Sequence, residues 1–109
     1  MQKKPILNIN AKDFDNPEME EQYNNWYSEH IAENFKFEGM RKVARYKKIG
    51  DAPEAPQYLA FYYFDSIEDF HAYEKSEAHA NSAKVPGRPS SGIKPRFRVQ
   101  YELIESLER

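Results

Sequence analysis

Residues 57–64, Gln-Tyr-Leu-Ala-Phe-Tyr-Tyr-Phe, constrain this chain more than any other stretch. An aromatic run of this length between turn signals reads as a β-strand. Positions 58, 60, 62 and 64 are Tyr, Ala, Tyr and Phe, and positions 59, 61 and 63 are Leu, Phe and Tyr. Side chains alternate across a strand, so both faces of this one are apolar and both need cover. A chain of 109 residues supplies enough helix for one side of a small sheet. The face left over would mark an interaction surface. The economical partner is a second copy of the chain, packed sheet face to sheet face. Tyr62 is expected inside that assembly, so that a charge placed there breaks the dimer.

The remaining segments fit one small domain. Residues 5–11 read as a short strand. Asn16-Pro17-Glu18 is a helix start, with a capping side chain, a proline in the first turn and acids beside the helix N-terminus. That helix is expected over 17–34, with Met19, Tyr23, Trp26 and His30 along one stripe. Gly39 marks a turn before a strand over 40–49, and Asp51–Pro56 is a proline-bearing turn. Ser66-Ile-Glu-Asp69 resembles a capping box opening a second helix, with Ile67, Phe70 and His71 on its stripe. A break near Ser76 and a short helical piece to about 84 follow, then a surface loop, Pro86–Gly92. A last strand over 96–104 sets Phe97, Val99, Tyr101 and Leu103 against Arg96, Arg98, Gln100 and Glu102. The order β-α-β-β-α-β, with helices on one face of a four-stranded antiparallel sheet, is the ferredoxin-like arrangement of the α+β class.

Composition excludes several functions. Net charge is −2, which gives no electrostatic case for nucleic acid. The basic run from Arg41 to Lys48 alternates with apolar residues and suits a strand edge. No apolar run approaches membrane-spanning length, and Met1-Gln2-Lys3-Lys4-Pro5 lacks the apolar core of a signal peptide. With no cysteine there is neither disulfide, thiolate ligand nor cysteine nucleophile, which fits a cytoplasmic protein. His30, His71 and His79 show no metal-ligand spacing, and Gly87 and Gly92 form no phosphate loop, so neither a metal nor a cofactor is expected.

Asn24-x-Trp26-Tyr27-x-Glu29-His30 on the first helix, Gly39, Arg45-Tyr46, Tyr58-Leu59-Ala60-Phe61-Tyr62 leading into Asp65-Ser66, and Pro95-Arg96-Phe97 carry a resemblance. Over roughly residues 5–104 the chain resembles the dimeric α+β-barrel superfamily, and in detail the small EthD-like proteins. The resemblance implies a homodimer and a barrel interior. The superfamily includes polyketide cyclases, muconolactone isomerases, cofactor-free monooxygenases, heme-degrading enzymes and members with no assigned activity. The chain departs from the pattern where a proline often follows the helix histidine, since Ile31-Ala32 stands there, and where Pro-Gly often precedes the second strand, since Glu38-Gly39 stands there.

Each candidate site residue carries two readings. His30 is a general acid or base facing a cavity, or a histidine tying the helix end to a neighbouring element. Tyr27 is its catalytic companion or core packing. Arg45, Tyr58, Tyr62 and Trp26 line a ligand pocket, Arg45 as the partner of a carboxylate or phenolate, or else they fill the dimer interior. His79 pairs with His30 across a pocket or is solvated, and His71 packs at the edge of the second helix. Two main functions follow: a dimeric barrel binding or transforming a small aromatic or lactone-like molecule without cofactor, or a non-catalytic dimeric module. A heme-handling protein is a third. A cavity lined by Tyr27, His30, Tyr62 and Arg45 together would separate the first from the second.

Overall fold

A computed structural model describes residues 4–109. The first three residues of the N-terminal segment read above lie outside the described residues. The elements run β1 (Ile6–Phe14), α1 (Pro17–Asn34), β2 (Met40–Lys47), β3 (Tyr58–Phe64), α2 (Ile67–Glu74), α3 (Glu77–Ser82) and β4 (Ile93–Glu102). The strands form one antiparallel sheet in the order β2-β3-β1-β4, with helices on one face, which is the ferredoxin-like fold.

The helix starts follow the sequence. The Asn16 side chain accepts from the Glu18 backbone N–H at 2.9 Å, with Pro17 in the first turn. Ser66 accepts from the Asp69 N–H, and Ser76 from the His79 N–H, each at 3.1 Å. Ser76 therefore starts a new helix where the chain turns. The buried stripe of α2 is Phe70 and Tyr73; Ile67 is exposed, and His71 faces solvent beside Glu74 at 3.4 Å. The expected stripe was off because α2 meets the sheet at an i, i+3 pair. The segment from Val85 to Gly92 is tied to α1: Trp26 Nε1 donates to Val85 O at 2.7 Å and Gln22 Nε2 to Gly87 O at 3.1 Å.

The strands differ from their expected bounds: β2 ends at Lys47 rather than 49, β3 begins at Tyr58 rather than 57, and β4 ends at Glu102, which leaves Leu103 outside it. β1 runs on through Lys12, Asp13 and Phe14, because these residues still pair with β4. β4 starts at Ile93, with Pro95 inside it opposite Lys12. A proline is tolerated there because β4 is an edge strand with no outer neighbour to receive a donor. A register shift in the β1–β4 ladder between Ala11 and Lys12 accommodates the irregularity.

The two sheet faces differ sharply. Tyr58, Ala60, Tyr62 and Phe64 of β3 are buried against α1 and α2 with Tyr23, Trp26, Tyr27, Phe70 and Tyr73. Tyr62 thus belongs to the helix-facing side, not to the open one, because alternation puts it in step with Phe64. On the open side Leu59, Phe61 and Tyr63 stand beside Leu7, Ile9 and Ala11 of β1. Val99, Phe97 and Tyr101 of β4 and Ala44 and Tyr46 of β2 extend this layer. Phe97, Tyr101 and Tyr46 are 47%, 55% and 50% exposed, so nothing in the protomer covers it. Among the described residues no helix is long and apolar enough to cross a membrane.

Candidate functional site

The helix-facing side of the sheet is not uniformly apolar. Along β1 its side chains are Ile6, Asn8, Asn10 and Lys12, and β4 adds Gln100 and Arg98 opposite Asn8 and Asn10. Polar side chains on a covered face need partners or water. Here they border a cavity of about 380 Å³ between β1, β4 and the helices. Its wall includes Asn8, Asn10, Lys12, His30, Tyr62, Tyr73, His79, Ser82, Arg96 and Arg98.

His30 projects from the last turns of α1. Its ring stacks on Trp26, with centroids 4.4 Å apart and planes 24° apart, and meets Tyr27 edge-on at 5.1 Å. Nδ1 lies 2.8 Å from the Ser82 carbonyl oxygen. A carbonyl only accepts, so Nδ1 carries the proton and Nε2 of the neutral ring is an acceptor. No described residue hydrogen-bonds to Nε2. Burial lowers the His30 pKa, and the nearby Lys12, Arg88 and His79 add to this against the opposing Ser82 carbonyl. The ring is therefore neutral at neutral pH, the form from which a general base acts.

Tyr62 reaches the cavity, and its hydroxyl shares a short hydrogen bond with that of Tyr27 behind it. Burial raises both phenol pKa values, Tyr62 strongly, so the pair stays protonated and can donate or relay a proton. Tyr73 sets its ring edge-on to His79 at 5.0 Å and donates to Asn34 Oδ1. His79 lines the same cavity as His30.

The remaining candidates lie elsewhere. Arg45, Tyr58, Tyr23 and Tyr27 surround a separate space of about 10 Å³, which is effectively filled. Arg45 donates to Asn24 Oδ1 at 2.7 Å and sits 4.2 Å over the Tyr27 ring. Asn24 Nδ2 donates to the Tyr58 hydroxyl at 3.2 Å, and that hydroxyl donates to Glu20. Trp26 stands behind His30, outside the cavity wall, and supports the imidazole. The expected single cavity is thus divided. His30, Tyr62 and His79 come together, Tyr27 stands behind them in contact with both His30 and Tyr62, and Arg45 and Tyr58 do not share the space.

Lys12 was not among the sequence candidates. It lines both the cavity and the filled space, donates to the Tyr23 hydroxyl at 2.6 Å, and lies 5.1 Å and 5.8 Å from the Tyr23 and Tyr27 ring centroids. Burial first, then Arg88 and Arg45, lower its pKa to about 8. The signal that could have found it is the run of alternate polar residues, Asn8, Asn10 and Lys12, on the strand face that the helices cover.

The fold is shared with solved structures of low sequence identity. A hydroxynitrile lyase from Passiflora edulis superposes with TM-score 0.71 at 14% identity, covering 96% of this chain and 98% of that one. SnoaB, a cofactor-independent oxygenase from Streptomyces nogalater, gives 0.68 at 7%, covering 97% and 99%. A dimeric ferredoxin-like protein of unknown function from Thermobifida fusca YX gives 0.65 at 18%, covering 94% of each chain. No curated protein matches the chain in sequence. The family model described as Domain of unknown function (DUF4286) matches residues 7–92, and the chain belongs to that family.

Proposed function

We propose that this protein is a homodimer, closed by its open sheet faces, in which each protomer binds a small aromatic or lactone-like molecule in the His30 cavity. Acid/base chemistry on that molecule needs no cofactor. The observation that carries this reading is one cavity of about 380 Å³ whose wall includes a histidine with a free Nε2 and a protonated tyrosine. The volume lies in the range of small-molecule sites. His30 Nε2 takes a proton from the ligand, and the Tyr62 hydroxyl, relayed to Tyr27, stabilises the oxygen that gains negative charge. His79 borders the ligand, while Trp26 fixes the imidazole plane. Arg45 and Tyr58 act on the ligand only through Tyr27 and Asn24.

The apolar open face supports the dimer, as does the dimeric state of the Thermobifida fusca neighbour. The cofactor-independent oxygenase and the hydroxynitrile lyase on this scaffold support a chemical role. The EthD-like motif on α1 and a cytoplasmic location belong to the same reading.

The filled space around Arg45 and the bond from His30 to Ser82 favour a second reading, a non-catalytic dimeric module. A ligand-observed NMR screen of aromatic and lactone fragments separates the two. Binding to the wild type, weakened by Tyr62→Phe and His30→Asn while the fold persists, supports the site. Failure of every fragment to bind at millimolar concentration leaves the structural module.

A further inference from the structure

We propose that the ligand of this cavity is an organic anion, and that its carboxylate is held by Lys12 and Asn10. The inference rests on the small-molecule reading above and adds the ligand's charge.

The amide and carbonyl acceptors named in the wall are engaged, while donors remain open. Asn8 Oδ1 accepts from Gln100 at 2.7 Å, Asn10 Oδ1 from Asn8 at 3.5 Å, and the Ser82 carbonyl is occupied by His30. Lys12 has three N–H donors, of which the Tyr23 hydroxyl takes one. The Asn10 amide nitrogen has two N–H donors, of which the Tyr27 hydroxyl takes one. No carboxylate among the described residues lies within 4.0 Å of Lys12, so at a half-buried position its charge has no anionic partner, only the Tyr23 and Tyr27 rings. Buried charges in proteins are paired.

The lining has no Asp or Glu but has Lys12, Arg96 and Arg98. Arg96 is engaged by Asp13 at 2.6 Å, and Arg98 only by Glu74 at 3.4 Å. A carboxylate between Lys12 and Asn10 would complete both donors and leave an apolar body against Tyr62 and Tyr73. His30 Nε2, an acceptor with no described partner, would then meet an acidic position on that body.

The test uses a matched pair, 2-naphthoate and 2-naphthamide, titrated into the full chain by isothermal calorimetry. Lys12→Met and Lys12→Gln are run beside the wild type, and the second keeps a donor for the Tyr23 hydroxyl should the first fail to fold. The expected result is naphthoate binding at least about tenfold tighter than naphthamide, about 1.4 kcal/mol, with the preference lost in the Lys12 variant. Equal binding of acid and amide, or a preference that survives loss of Lys12, overturns the anion inference while the cavity stands as a ligand site. Binding of neither compound removes both.

Discussion

Lys12 carries a stability consequence of its own. Its pKa falls from 10.5 to about 8 on folding, so between those values the unfolded chain binds more protons than the folded one. Stability contributed at this site therefore rises with pH across that window, and the cost of the buried ammonium is fully present below about pH 8. The displacement corresponds to at most about 3 kcal/mol, reduced by the solvent that reaches the cavity. The Lys12→Met protein should melt at or above the wild-type temperature at neutral pH. The difference should shrink as pH approaches 10.5. A variant less stable at neutral pH, with no change in the difference up to that pH, would show that the ammonium is already compensated. His30 has the same sign in a lower window. Its folded pKa lies below 6.5, so its contribution is complete above that value and is lost as pH falls through the folded pKa. His30→Asn should flatten that acid limb in denaturant titrations. Neither Lys12 nor the division of the pocket was legible from composition. His30 stood out as a histidine on a packing stripe, whereas Lys12 reads as one of many lysines until the partner strands show which face it joins.

At the scale of elements, most of the fold was legible. Caps at Asn16 and Ser66 placed two helix starts and the aromatic run placed β3, whereas Ser76 read only as a break and the structure shows it capping α3. The start of β4 was hidden because Pro95 signals a break in isolation, and only its position on a sheet edge makes it harmless. The buried stripe of α2 was hidden because eight residues hold too few turns to fix a phase. Gly39 is required for a reason its turn signal does not give. A Cβ there would stand 2.6 Å from Phe37 Cε2 and 3.1 Å from Asp69 Cγ, so the ring would have to move out of its contacts with Phe64 and Tyr73. Gly39→Ala should cost about 1–3 kcal/mol in urea unfolding, the usual cost of overpacking; no measurable change would mean the ring relocates freely. Trp26, 6% exposed and bonded to Val85 O, joins α1 to the loop that follows α3. Trp26→Ala should cost about 3–5 kcal/mol by the same measurement, and a loss below about 1 kcal/mol would contradict its place in the core.

The whole molecule has an inverted polarity that ties its parts together. The side of the sheet under the helices is polar along β1 and β4, where the cavity lies, while the side turned away from the helices is mainly apolar, with Lys42 of β2 opposite Tyr63 at its edge. A monomer in water gains nothing from that arrangement. A dimer closed through the open faces explains it, with each cavity left on the helix side. Such an interface should bury at least about 1,200 Å² in total. Phe61 is the residue to challenge: it lies on the open face against Tyr46 at 5.1 Å and outside the helix-facing core. Sedimentation equilibrium at micromolar concentration tests the account most directly. The wild type should sediment at twice the protomer mass of 12.9 kDa, and Phe61→Asp should sediment as a folded monomer. A wild-type chain that stays monomeric under those conditions, with its circular dichroism intact, would contradict it.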